Sequence, residues 1–231
     1  MFKIAYCAGH YLGTAGKRVP KALDKNQTRE WTLNDRVARY FAQAANEYDN
    51  VELLRTDDPT GKKQIKIKER TKAANDWGAN VYLEIHHNAG IRLGKGGGVV
   101  VINKKKDVAG GWYGTVIYQK VIEAGGLKGK RSNPTYEKNL STMVHAKMPA
   151  VIIECGFMDS RTDYPIISTE EYAKKVGYAL MAAVAQVASL KVNYAYTVEV
   201  GPYPTMEEAL QVADRLEEAG YTTDIGCYRC E

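Results

Sequence analysis

Short apolar runs alternate along the chain with longer stretches in which apolar positions recur every three or four residues. Runs at 3–8, 51–55, 81–86, 98–103 and 150–156 are rich in Val and Ile, and several are apolar at consecutive positions. That is the pattern of strands buried on both faces. Between them, 29–48 carries Trp31, Leu33, Val37, Phe41 and Ala45 on one stripe, and 65–77 carries Ile67, Thr71 and Ala74. Segments 112–124 and 170–190 complete the expected helices. Strands alternating with helices predict an α/β domain whose mostly parallel central sheet is flanked by helices on both faces. Ligands of such sheets gather at the carboxyl ends of the strands.

The pattern changes near 189–194, which divides the chain into an expected domain at 1–189 and a small region at 190–231. The latter reads as a βαβ tail: an alternating strand at 196–200, an amphipathic helix at 205–219 stopped by Gly220, and a second strand at 222–228. About 42 residues make a poor independent core. The tail is therefore expected to dock on the larger domain or to pair with another copy.

Composition narrows the class. The chain has 231 residues, of which 45% are hydrophobic, so a full globular core is expected. No apolar run approaches the ~20 residues of a membrane helix. The opening Met1-Phe2-Lys3-Ile4-Ala5-Tyr6-Cys7-Ala8-Gly9 reads as a first strand and not as a secretion signal. The protein is accordingly expected to be made in a cytosol. Its net charge of +5 suits an anionic wall polymer or nucleic acid, and otherwise favours solubility. Of four cysteines, Cys7 and Cys155 fall in apolar strands and read as small apolar residues. Cys227 and Cys230 form a single CxxC, and without a second pair it carries little weight as a metal or redox motif. The Gly-rich 94–98 lacks the order of a phosphate-binding loop and leads into a strand, so that reading is rejected.

Four residues do not fit a purely structural account. His10 follows Gly9 at the end of the first strand. Glu30 opens a helix. His86 ends a buried strand, beside His87 and Asn88. Glu154 lies inside the apolar run Val151-Ile152-Ile153-Glu154-Cys155-Gly156. Singly, His10 also reads as a surface histidine and Glu30 as an acid at a helix N-terminus. His86 and His87 alternate across a strand, so they are not expected to bind one metal together. Glu154 is the hardest to explain, because a buried carboxylate is costly unless it is paired or functional. Burial would also raise its pKa, which suits a general base. Two imidazoles with one carboxylate form a catalytic zinc shell, and a second carboxylate completes the needs of metal-assisted hydrolysis. The HExxH signature is absent. A cysteine nucleophile at Cys7 or Cys155 would need a histidine beside it, and would leave both acids without a role.

The pieces in order resemble a known family. Gly9-His10, Glu30 in Glu-x-x-x-Asn, Ile85-His86-His87-Asn88-Ala89 and Pro149-Ala150-Val151-Ile152-Ile153-Glu154-Cys155-Gly156-Phe157 are similar to the type 3 N-acetylmuramoyl-L-alanine amidases over about 1–188. Leu54-Arg55-Thr56, Glu69-Arg70 and Ala74-Asn75 agree as well. The resemblance implies one zinc ion held by His10, Glu30 and His86, with Glu154 as catalytic base. It implies that the substrate is peptidoglycan, cut between N-acetylmuramic acid and the L-alanine of the stem peptide. The family's Gly-His-Gly-Gly is Gly9-His10-Tyr11-Leu12 here, and its usual Ser two before the third ligand is Glu84. His87, Asn88 and His145 are candidate substrate contacts. The absence of a signal resembles a phage or prophage endolysin, which acts on the wall after release and causes host lysis; a bacterial autolysin released when a mother cell lyses would look similar. The tail resembles half of a SPOR-like peptidoglycan-binding repeat, which suggests wall binding or a homodimer. Rivals are a zinc peptidase cutting within the stem, a non-catalytic wall-binding protein, and a nucleic-acid binder, for which no motif is present.

Overall fold

The computed structural model describes residues 1–129, 132, 134–193, 200–219 and 223. The chain divides into two compact units, Met1–Tyr194 and Ala195–Glu231. In the first, strands β1 (Phe2–Ala8), β2 (Val51–Arg55), β3 (Val81–Asn88), β4 (Val100–Asn103), β5 (Thr135–Glu137) and β6 (Ala150–Phe157) form one sheet in the order β2-β1-β3-β6-β4-β5. Every pairing is parallel except β4 with β6. The helices are α1 (Glu30–Ala44), α2 (Ile67–Trp77), α3 (Val108–Glu123), α4 (Ser141–His145), α5 (Tyr164–Ile167) and α6 (Glu170–Ala188). The mostly parallel, helix-flanked sheet read from the sequence is thus the observed one.

The central strands explain the continuous apolar runs. Ile4, Tyr6, Leu83, Ile85, Val151 and Ile153 face one core with residues of α1, α3 and α6. Their alternates Ala5, Cys7, Tyr82, Ala150 and Ile152 face a second core with Ala74 of α2 and Met143 of α4. On the first face α1 and α6 approach closely at Gly177. A Cβ there would lie 2.6 Å from Tyr40 Cβ and 2.8 Å from both Phe41 N and Val37 O. The helix-interior glycine costs about 1 kcal/mol in propensity and lets the two backbones meet.

Several boundaries differ from the sequence pattern, for local reasons. The first helix ends at Ala44 and tightens into a 3-10 turn, Ala45–Glu47. The third begins at Val108, earlier than expected, because Asp107 Oδ1 caps it by accepting from Gly110 N at 2.9 Å. The Gly110-Gly111 pair masks that first turn in the sequence. β5, α4 and α5 are too short to show a period. In the second unit α7 (Met206–Glu218) is capped by Thr205, whose hydroxyl accepts from Glu208 N. Apart from Val200 and Thr223, the expected strands at 196–200 and 222–228 lie outside the described residues, as do Cys227 and Cys230.

Candidate metal centre and catalytic cleft

Three chain segments converge at the carboxyl ends of β1 and β3. The first is the turn after β1, where Gly9 N donates to Ile85 O at 2.8 Å and His10 adopts a left-handed φ of 66°. Such a conformation is unfavourable for a residue with a Cβ and has to be held. Arg70 of α2 holds it: its guanidinium donates to Ala8 O at 3.2 Å and His10 O at 2.8 Å, and its Nε donates to Ile65 O at 2.9 Å. Arg70 is only 4% exposed. Replacing it by Met strands those carbonyls, and a loss of roughly 3 kcal/mol is expected. Urea denaturation of the metal-free protein measures it; an unchanged midpoint would contradict the clamp.

The second segment is the start of α1. Glu30 is fully buried. Its Oε1 lies 2.9 Å from His86 Nδ1, 3.4 Å from His10 Nε2 and 3.4 Å from the His87 N–H, and its Oε2 lies 3.4 Å from Lys17 Nζ. Burial alone would raise this carboxyl; the hydrogen bond from His86 and the charges of His86, His10 and Lys17 outweigh it and hold the group down at about 2. One turn on, Asn34 Nδ2 donates to Gly9 O at 3.0 Å, tying the helix to the first turn.

The third segment is the end of β3. His86 stands edge-on to His10, with ring centroids 4.8 Å apart. Ligand atoms of His10, Glu30 and His86 all lie within 4.8 Å of one another, which makes them a possible metal site. Tetrahedral zinc with bonds of ~2.0 Å separates its ligands by about 3.3 Å, close to the contacts Glu30 makes with each imidazole. Burial lowers His10 to about 4, leaving a neutral imidazole with a free lone pair. Burial also works against a charge on His86, but Glu30 and Glu84 override it and raise the group to about 10. A metal would therefore displace a proton from His86 on binding. The residues present fit the ion that the donor set suggests.

Glu154 stands directly opposite His86 in the β3–β6 register. Its Oε2 is closed off from solvent and has no hydrogen-bond partner, and burial raises its pKa. It lines an open cleft of about 430 Å³ together with His10, Lys17, Glu84 and His86. The arrangement brings a possible cation site and a carboxylate of raised proton affinity to one face of two adjacent strands. That is what general-base attack by water requires.

Of the three candidate substrate contacts, none lines this cleft. His87 points to the opposite face, 1% exposed, with Nδ1 2.8 Å from Asn34 Oδ1 of α1. The side-chain oxygen of Asn88 accepts from Ala89 N. His145 ends α4 and borders a separate shallow groove with Lys68 and Lys72. Residues that the sequence reading did not place in the cleft include Lys17, Gln64 and Thr142, all from segments without a periodic signal. Cys7 contacts Tyr82 Oη and Arg70, and burial pushes the thiols of Cys7 and Cys155 well up. In a Cys227→Ser/Cys230→Ser background, thiol reagents are expected to label Cys7 and Cys155 only after unfolding; fast native labelling would reopen a nucleophilic role.

Residues 4–186 match the family model of N-acetylmuramoyl-L-alanine amidase. The chain belongs to that family. By membership it is a hydrolase of the amidase class. The sporulation-specific N-acetylmuramoyl-L-alanine amidase of Bacillus subtilis (strain 168) is 28% identical over 208 residues, covering 87% of this chain and 77% of that protein. The N-acetylmuramoyl-L-alanine amidase CwlM of Bacillus licheniformis is 27% identical over 225 residues, covering 96% of this chain and 83% of that protein. Among solved structures, the N-acetylmuramoyl-L-alanine amidase from Clostridium difficile 630 superimposes with a TM-score of 0.71 at 20% identity, over 81% of this chain and 97% of that one. This last likeness is one of fold.

Proposed function

We propose that this amidase hydrolyses the bond between the lactyl carbonyl of N-acetylmuramic acid and the L-alanine nitrogen of the stem peptide. In this reading His10, Glu30 and His86 hold one zinc ion and Glu154 is the base. The reading is supported above all by the pairing of Glu154 with His86 across adjacent strands, which sets a carboxylate lacking a hydrogen-bond partner at Oε2 beside the three possible ligands. Zinc, when bound, would supply Lewis-acid polarisation of the scissile carbonyl and would make the attacking water more acidic. The protein's own residues do the rest. Glu154 accepts a proton from the attacking water and returns it to the departing amine, so the amide gives one carboxylic acid and one amine. Its raised proton affinity suits both transfers. Glu30 supplies the anionic ligand, kept ionised by the imidazoles and Lys17.

The test is metal content and activity together. After dialysis against a chelator, the protein is expected to take up one zinc per chain and regain turbidity-reducing activity on purified walls. Full activity in rigorously metal-free protein would overturn the zinc reading. Wall degradation by added enzyme is the activity of an endolysin, and we extend the proposal to that role. We further propose that 190–231 forms a wall-binding or dimerising element beside a catalytic domain at 1–189. A chain ending at Ser189 should then lose wall binding or change its oligomeric state by light scattering; if neither changes, the tail has no such role.

A further inference from the structure

His86 presents two ring nitrogens to two different carboxylates. Nδ1 lies 2.9 Å from Glu30 Oε1, and Nε2 lies 3.5 Å from Glu84 Oε1. Strand geometry produces the second contact, because positions 84 and 86 of β3 point to the same side of the sheet. Glu84 stands opposite Ile152 in the register, as His86 stands opposite Glu154, so all four share the cleft floor. Glu84 is 4% exposed. Its Oε2 accepts a hydrogen bond from Thr142 Oγ1 of α4.

An enclosed carboxylate is unfavourable unless its oxygens are occupied. Here one faces the Thr142 hydroxyl and the other the His86 ring. Glu154, one strand away, lines the same cleft and has an oxygen with no hydrogen-bond partner. The two acids on this floor thus have different tasks. Glu84 is bound up with a ligand, and Glu154 is open to react.

A neutral imidazole that gives one nitrogen to a metal carries its proton on the other. In His86 the nitrogen beside Glu30 is Nδ1, so the proton belongs on Nε2, where Glu84 faces it. We propose that Glu84 is a positioning residue that fixes His86 as the Nε2–H tautomer, turns its Nδ1 lone pair toward the metal, and through Thr142 ties that ring to the rim helix α4. The inference rests on the reading of His10, Glu30 and His86 as metal ligands. It concerns a position where the family resemblance leads one to expect Ser. A carboxylate behind a ligating imidazole raises its basicity and locks its orientation, and loss of such a partner typically weakens metal binding by about 10- to 100-fold.

Two measurements on the full chain test it. The first is zinc affinity, by competition with a chromophoric chelator, for wild type, Glu84→Gln and Glu84→Ser, with thermal melting as the check on folding. Both variants are expected to bind zinc about 10- to 100-fold more weakly. Wild-type affinity in a folded Glu84→Gln protein overturns the positioning role and leaves the metal reading intact. Failure of the wild type itself to bind zinc removes the underlying reading instead. The second needs no variant and stands if the variants fail to fold. Long-range ¹H–¹⁵N correlation on the histidines of the zinc-loaded enzyme is expected to show His86 protonated at Nε2 and metal-bound at Nδ1. The reverse tautomer would overturn the proposal.

Discussion

Glu154→Gln is expected to leave the protein folded and zinc-loaded while lowering kcat by about 10²- to 10⁴-fold, the usual contribution of a positioned base. Glutamine has nearly the shape of glutamate, so the β3–β6 register and the cleft wall are preserved. It cannot take a proton from water. The KM for wall fragments should change little if Glu154 acts as the base, because a base meets the attacking water and not the distant parts of the substrate. Stability should hold or rise. The carboxylate Oε2 has no hydrogen-bond partner, burial disfavours its charged form, and removing an unpaired buried charge relieves that cost. The checks are steady-state kinetics, zinc content and a thermal melt on one preparation. A loss of zinc parallel to the loss of rate would make Glu154 a ligand and not a base.

The second large effect is expected at a residue without a side chain. In Gly9→Ala the new Cβ would lie 2.1 Å from His86 Cε1, 2.2 Å from Nε2 and 2.5 Å from Nδ1. The main chain at Gly9 has little room to retreat, because its N–H is bonded to Ile85 O and its carbonyl accepts from Asn34. The imidazole must therefore swing aside, which disturbs its contact with Glu30. A displacement of that kind near reacting groups costs on the order of 10²-fold or more in kcat/KM, and zinc affinity should fall with it. Pairing Gly9→Ala with His86→Ala separates this mechanism from general misfolding. The destabilisation caused by Gly9→Ala should largely vanish once the ring is gone, as a coupled pair requires. Equal destabilisation in both backgrounds would place the damage elsewhere.

Much of this site was legible because its chemistry interrupts a strong pattern. Glu154 stands out within five apolar neighbours, and its strand is central and buried, so its carboxylate carries a burial cost that its neighbours do not. His86 and His87 were separable by strand alternation, and they do face opposite sides. Glu84 obeyed the same rule: two residues before His86 in a buried strand, it has to share that residue's face. What the pattern could not supply was contact between segments distant in sequence. Lys17 reaches Glu30 from the long loop 9–29, and Thr142 reaches Glu84 from a five-residue helix. Neither segment has a period, since loops are placed by their anchors and not by a buried stripe. Arg70 was visible as part of a similar helix, but its grip on the His10 turn depends on a left-handed backbone that only the folded chain displays. The helix-flanked parallel sheet was readable throughout, while β5, α4 and α5 were set by tertiary packing.

The most direct test of the account is mass spectrometry of purified peptidoglycan digested by wild type and by Glu154→Gln, each with and without a chelator. The account predicts intact glycan strands and free stem peptides beginning with L-alanine, formed only by metal-loaded wild type. Cuts inside the stem peptide, or the same products from chelated enzyme, would contradict it.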